Sequence, residues 1–339
     1  MGKAFYDASP AARAVFEEAD DALGFALSKL IFEGPEDQLK LTEHTQPAIL
    51  TMSIAALRVL EPELASRGLK VGFAAGHSLG EYSAHVAAGT FSFADAVKTV
   101  RLRGQFMQSA VPAGEGGMAA ILGLDVGTIN DICAQVSDEL TQEPPSDPGN
   151  PSTQAFAAID AVTDPANPAG SLIEAASRVN AVVSPANMNS PDQTVISGKK
   201  EAVERAAELC KEAGAKRTVM LPVSAPFHCA LMQPAQEKLQ QQLESVAFHD
   251  PAFPVAANVD ALLLTRGPAV RDALVRQVTG AVRWVECIRL LAQSGATQFL
   301  EVGPGKVLCG LNRQIDRALV TTNVEDPASL EKLLAGFAS

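Results

Sequence analysis

The chain is expected to be an α/β protein: a mostly parallel sheet covered by helices on both faces, interrupted by a smaller unit of its own. Three observations predict this. Apolar strand-like runs alternate with helix-compatible runs in both halves of the chain, and strands joined through helices lie parallel. Between residues 117 and 222 the order changes to strand, helix, strand, strand, helix, strand. This βαββαβ order is that of a ferredoxin-like subdomain. With 339 residues, 47% hydrophobic and 19% charged, the chain can bury a large core and is too apolar to be disordered.

Taken in order, Ser9 can cap and Pro10 can open a helix over "AARAVFEEADDAL", with Gly24 as its stop. A second helix is expected from about Gln46-Pro47, since Leu50, Ile54, Leu57 and Leu60 recur at steps of three and four. A strand over 71–76 leads into "GHSLG" and a helix from about Leu79. Ser92 with Asp95 resembles a capping box before "FADAVKTVRLRGQFMQ". "MAAILGL", "AVVSPA", "QTVISG" and "RTVMLPV" read as the strands of the inserted unit, and "VGTINDICAQV" and "KEAVERAAELCKEAG" as its helices. A Pro-, Ser- and Asp-rich segment at about 138–170 reads as an exposed loop. Beyond it come strand "FPVAANV", helices around 268–293 and strand "TQFLEVG". The division is a core of 1–116 and 223–339 with a subdomain of 117–222.

Composition excludes several classes. A formal net charge of -12 supplies no basic surplus for nucleic-acid phosphates. The cysteines, Cys133, Cys210, Cys229, Cys287 and Cys309, have no CxxC spacing and read as free thiols in a reducing cytosol. No signal peptide opens the chain and no apolar run is long enough to span a membrane, so a cytoplasmic protein is expected.

In "FAAGHSLGEYSAH" Ser78 sits at the apex of a strand-turn-helix. A G-x-S-x-G turn exposes a serine hydroxyl beside a helix N-terminus, where backbone N–H groups can hold an oxyanion. Its glycines are expected because side chains there would meet neighbouring backbone. The competing reading is a loop that happens to hold two glycines and a serine. A serine nucleophile needs a base. His77 lies inside the turn, His85 is expected to be packed, and His44 and His249 sit in polar surroundings. His228, in a proline-bearing loop after a strand, is the base by elimination.

"TQPAIL", "GHSLGEYSA", "RLRGQFMQ", "SPANMNSPDQTVISG", "PVSAPFH" and "EVGPGKVL" resemble, in this order, segments of malonyl-CoA:acyl carrier protein transacylases. The resemblance covers almost the whole chain and implies an α/β-hydrolase-like core with a ferredoxin-like insertion. It implies Ser78 as nucleophile, His228 as the base of a dyad, and Arg103 as the clamp for the free malonyl carboxylate. It makes Gln46 a residue lining the site, Gln277 the residue whose backbone carbonyl orients the histidine, and Leu79 the source of an oxyanion N–H. Asn187 and Asn189 match positions near the cleft, and Gly303 and Gly305 a tight turn. Leu79 and Phe227 resemble the malonyl-selective pattern, Phe227 filling the space an α-methyl would need. No metal or cofactor is implied. The expected partners are malonyl-CoA and acyl carrier protein, met by a monomer through a basic patch for which Lys199, Lys200, Lys216 and Arg217 are the candidates.

Members of that family begin with a strand and a "GQGSQ"-like turn that supplies a second oxyanion N–H. Here Met1-Gly2-Lys3 falls where their first helix starts. The expectation is a natural start upstream and a core strand left with unpaired backbone groups. Two other readings compete: a serine hydrolase or thioesterase with a Ser78-Asp192-His228 triad, and a truncated, non-catalytic homologue that only binds carrier protein.

Overall fold

The structure, a computed structural model, describes residues 1–142, 182–223 and 225–337. It is a mixed α/β fold whose helical N-terminal layer comprises α1 Lys3–Ala8, α2 Pro10–Leu23, α3 Leu27–Glu33, α4 Glu36–Leu39 and α5 Thr42–Ser66. α2 has the expected ends: Ser9 Oγ accepts from the Ala12 N–H at 3.4 Å, and Gly24 closes it at φ 71°. α5 starts earlier than expected, at Thr42, and carries Pro47 inside it. Pro47 is the sixth residue of α5, so it forfeits one ladder bond, the one an N–H there would make to the Glu43 carbonyl. Gln46 is thereby a helical residue on the buried side of α5.

The strands of the larger part are shorter than the sequence suggests. β1 is Ala74–Ala75 alone, parallel to β6 Val255–Ala256, which pairs antiparallel with β7 Leu263–Leu264. Pro254 precedes β6 and has no N–H to donate, so the β1–β6 ladder ends there; its carbonyl still accepts from Ala74 at 3.0 Å. β8 Gln298–Val302 runs parallel to β9 Val320–Val324 as a separate pair. Among the described residues β1 and β8 each pair along one edge only. Between them lies a groove of about 650 Å³ lined by Leu57, Leu60, Phe73, Trp284, Ile288 and Phe299.

α6 Leu79–Ala87 follows the serine turn, and α7 Phe93–Ser109 follows Ser92, whose Oγ accepts from the Asp95 N–H at 3.0 Å. α7 lies close against α5 at Gly104, where a Cβ would come within 2.7 Å of the Thr42 carbonyl oxygen. That approach puts the neighbouring Arg103 beside Gln46.

The middle unit runs β2 Gly116–Leu122, α8 Val126–Gln142, β3 Val183–Ser190, β4 Gln193–Lys199, α9 Lys200–Glu212, β5 Arg217–Met220. Its antiparallel sheet has the order β3-β4-β2-β5. α8 stays helical to Gln142, so residues 138–142 of the segment expected as loop are helix; the rest of that segment to 170 lies outside the described residues. Both sheet faces are apolar, as the period of two in a strand allows. Ala119 and Ile121 pack with Ile129, Val136, Val203 and Ala206 of the two helices. Met118 and Ala120 pack with Ala186 and Val195 of the sheet and with Phe227 beyond it. The second face therefore meets the loop that carries His228. Val282 stitches the unit to the rest, accepting from the Met188 N–H at 2.9 Å and donating to the Ala186 carbonyl at 2.8 Å.

α10 Gln233–Glu244 and α11 Gly267–Arg276 complete the layer around the site. The main core joins Phe5, Phe16, Leu50 and Ile54 with Val97, Val100, Met107, Leu239 and Leu274. All five cysteines are free and buried. No described helix is long and apolar enough to cross a membrane.

Candidate active site

Ser78 sits just before α6 with φ 50° and ψ -103°, a backbone conformation L-residues rarely adopt. The bend is possible because Gly76 has no side chain: a Cβ there would lie 1.9 Å from the Gly80 carbonyl carbon. At Gly80 a Cβ would meet nothing within 4 Å, so only the first motif glycine is sterically required, not both as expected. Asn258, after β6, braces the turn from outside. Its Oδ1 accepts from the Ser78 N–H at 2.7 Å and its Nδ2 donates to the Gly76 carbonyl at 2.8 Å.

His228 also has left-handed backbone, φ 60°. Its Nε2 lies 2.7 Å from Ser78 Oγ and its Nδ1 2.9 Å from the Gln277 backbone carbonyl. A carbonyl only accepts, so Nδ1 carries the proton and the Nε2 lone pair faces the serine hydroxyl. Burial, and then the Arg103 guanidinium, push this imidazole down to about 3, so it stays neutral near pH 7. The group on Nδ1 is that carbonyl and not Asp192, which lies exposed in the turn between β3 and β4.

Arg103 is 2% exposed on α7. Its Nη1 donates to Gln46 Oε1 at 2.6 Å, and its Nη2 to Gln277 Oε1 and Ser78 Oγ, each at 3.0 Å. A guanidinium only donates, so both glutamines must present their oxygens to it. The Tyr82 ring lies 5.6 Å away. No carboxylate forms a salt bridge with Arg103 among the described residues. A cation taken out of water without a partner is costly, which makes the place a receptor for an anion. The other arginine of "RLRGQF", Arg101, lies over the Phe25 ring at 4.5 Å instead.

Leu79 opens α6, where N–H groups have no helical acceptor. The next two, of Gly80 and Glu81, turn back to the carbonyls of His77 and Ser78 at 2.9 and 3.2 Å. The Leu79 N–H has no such acceptor among the described residues. Phe227 packs between the main core and the second face of the four-stranded sheet.

The remaining histidines are engaged elsewhere. His77 Nε2 lies 2.8 Å from Asn189 Oδ1, and its ring 5.6 Å from Trp284. His85 is buried beside Thr90. His44 is half-buried, its Nδ1 2.8 Å from the Gln38 carbonyl, and His249 is exposed. Asn187 bridges to Val282. The basic residues expected to form one patch do not: Lys199 pairs with Gly116 at one end of β2 and Arg217 with Leu122 at the other. Six residue steps along a strand separate those ends by about 20 Å. No group of His, Cys, Asp and Glu that could hold a metal occurs among the described residues.

Two site residues escaped the sequence reading: Asn258 and, buried on α6, Glu81. Glu81 Oε2 accepts from the Asn258 N–H at 3.0 Å and from Gln277 Nε2 at 2.7 Å.

A serine hydroxyl bonded to a neutral imidazole can be acylated, and an unpaired buried guanidinium beside it can hold an acid group on the acyl chain. Residues 1–140 match the family model described as an acyl transferase domain. The chain is 44% identical over 331 residues, 98% of its length and 90% of the relative's, to the malonyl CoA-acyl carrier protein transacylase of Bacillus subtilis strain 168. A solved acyl-carrier-protein S-malonyltransferase from Burkholderia pseudomallei 1710b superposes with TM-score 0.82 at 42% identity, covering 98% of this chain and 94% of that one. A malonyl-transacylase solved in complex with its type II PKS acyl-carrier protein is likewise 42% identical, with TM-score 0.82 and coverage of 99% and 94%. The chain belongs to the malonyl CoA-acyl carrier protein transacylase family, a family of acyltransferases.

Proposed function

We propose that this chain moves a malonyl group from malonyl-CoA to the pantetheine thiol of acyl carrier protein, through a malonyl-serine at Ser78. The observation that carries this reading is the buried Arg103 guanidinium, without a carboxylate partner and 3.0 Å from Ser78 Oγ. An acyl donor with a free carboxylate three carbons from its thioester sulfur would reach the arginine as its carbonyl carbon met the serine.

In the first half-reaction His228 Nε2 takes the Ser78 proton while Oγ bonds to the thioester carbon. The oxyanion is held by the Leu79 N–H, the C–S bond breaks, and CoA leaves as its thiol with the proton from His228. In the second, His228 takes the proton of the carrier's thiol, sulfur bonds to the malonyl carbon, and Ser78 regains its proton as the C–O bond breaks. Gln277 holds His228 through its carbonyl, Gln46 anchors the far arm of Arg103, and Phe227 limits the space beside the acyl α-carbon. No step calls for a metal or cofactor.

The core is proposed to be α/β-hydrolase-like, residues 1–116 and 223–339, with 117–222 as a ferredoxin-like insertion. The sheet order β3-β4-β2-β5 with α8 and α9 on one face supports the second assignment. The Gln277 carbonyl on His228 Nδ1 speaks against a Ser-Asp-His hydrolase.

Intact mass after brief mixing with malonyl-CoA tests the reading. One malonyl adduct is expected on the parent chain and on Asp192→Asn, and none on Ser78→Ala. An unmodified parent chain would refute it. Hydrolysis of malonyl-CoA that outruns transfer to carrier protein and is lost in Asp192→Asn would favour the triad instead.

A further inference from the structure

No step of the proposed transfer uses Glu81, the one carboxylate fully enclosed beside the site among the described residues. It is 0% exposed on the first turn of α6, three residues past the nucleophile. We infer that Glu81 is the positioning residue that sets the polarity of the hydrogen-bond network joining Arg103, Gln277 and Ser78, and thereby the preference for a carboxylate-bearing acyl group. The inference rests on the malonyl-serine reading above and names a residue that reading does not require.

The polarity of the network turns on which way one amide faces. Gln277 can present an oxygen or an NH₂ group to either side. Arg103 Nη2 needs an acceptor, and finds Gln277 Oε1 at 3.0 Å. That orientation holds only if the other side of the amide has acceptors for two N–H bonds. Glu81 Oε2 supplies one at 2.7 Å and the Ser78 backbone carbonyl the other at 2.9 Å. Were the amide reversed, its NH₂ would face a guanidinium that can only donate, and its oxygen would face two acceptors. Glu81 therefore keeps the fork of Arg103 aimed and ties Gln277, whose carbonyl orients His228, to the nucleophile turn. The same Oε2 accepts from the Asn258 N–H, and Asn258 in turn grips the Ser78 N–H and the Gly76 carbonyl.

This polarity does not depend on the charge of Glu81. Burial pushes its carboxyl up to about 7, against hydrogen bonds and the Arg103 charge that pull it down. Both network donors meet Oε2, while Oε1 has no partner and stands 4.0 Å from His85 Nε2. A proton, when bound, belongs on Oε1 and leaves the accepting oxygen free.

Two conservative variants separate an oriented acceptor from a mere negative charge. Glu81→Gln keeps the acceptor in place and removes the charge; Glu81→Asp keeps the charge and withdraws the acceptor by a methylene. Acylation rates with malonyl-CoA and acetyl-CoA, read by intact mass, give a malonyl-to-acetyl preference for each. Glu81→Gln is expected to retain at least about tenfold more of that preference than Glu81→Asp, the worth of one charge-assisted hydrogen bond. The reverse ranking would assign Glu81 an electrostatic role and overturn the inference. So would an unchanged preference in both variants, or equal losses with the two donors that track melting temperature. An unmodified parent chain would instead sink the malonyl-serine reading itself, so the two failures are distinct.

Discussion

Replacing Arg103 with Gln asks the sharpest question of this site, because the effect should depend on which acyl group is offered. An arriving carboxylate would take the Nε–H, partnerless among the described residues, and the Nη2 bond now made to Ser78 Oγ at 3.0 Å, while the bonds to Gln46 and Gln277 persist. Two charge-assisted hydrogen bonds are worth about 3–6 kcal/mol, and the one displaced about 1.5–3 kcal/mol. The difference, about 1.5–3 kcal/mol, corresponds to a loss of about 10- to 150-fold in malonyl transfer. Acetyl-CoA has no carboxylate to lose, so its transfer should fall by less than about tenfold. Single-turnover acylation followed by mass measures both, with melting temperature as the control for folding. Equal losses with the two donors would show that Arg103 only braces the network, and the carboxylate clamp would be wrong.

Two further outcomes follow from the same geometry. The base must be unprotonated to act, and His228 is pushed down to about 3, so acylation should hold as pH falls through 6.5 and fail only near the lower value. Arg103 is the second cause of that depression, so the acid limb should move to higher pH in Arg103→Gln; a parent limb at 6.5 would contradict the burial argument. The linked stability has the same sign: it is whole above 6.5 and declines as pH falls from there, since only the unfolded histidine takes up a proton. Gly76→Ala should lose at least about 1–3 kcal/mol of stability to overpacking, because its Cβ would meet the Gly80 backbone at 1.9 Å. Gly80→Ala, with open space around it, should keep its melting temperature; matched melting curves for the two variants would refute the steric assignment.

What could be read from the sequence was local. The strand-turn-helix around Ser78, the Ser9 and Gly24 ends of α2 and the apolar run of β2 each depend on residues within a few positions of one another. Arg103 was legible only through the family resemblance: taken by itself, an arginine in a helix reads as a solvated side chain, and the structure instead buries the face that Ala96, Val100, Arg103 and Met107 share. Glu81 and Asn258 were not legible, because their partners lie far along the chain, 177 residues apart for that pair. The basic patch failed for a related reason. Lys199 and Arg217 look adjacent in a list of strand ends, yet antiparallel register carries them to opposite ends of β2. The short core strands were hidden too, since a ladder ends where a proline such as Pro254 removes a donor.

The distribution of backbone strain ties these parts together. Among the described residues only Ser78, His228 and Ala261 combine a side chain with left-handed φ, at 50°, 60° and 51°. Each such residue costs on the order of 1–3 kcal/mol and persists only where its surroundings over-determine it. Ser78 is held through its N–H by Asn258 and through its carbonyl by Gln277. His228 is held through its ring by Gln277. Ala261 is strained in the turn that presents Asn258, its N–H donating to the Ala257 carbonyl at 2.9 Å. So the strained positions are the nucleophile, the base and the support of the brace on the nucleophile turn, and Asn258 and Gln277 hold the first two in register, Gln277 through its backbone carbonyl as well as its side chain. A site assembled this way keeps its serine and histidine 2.7 Å apart before any substrate arrives. Little reorganisation is left for the moment of reaction, which is where preorganised electrostatics contributes most to rate.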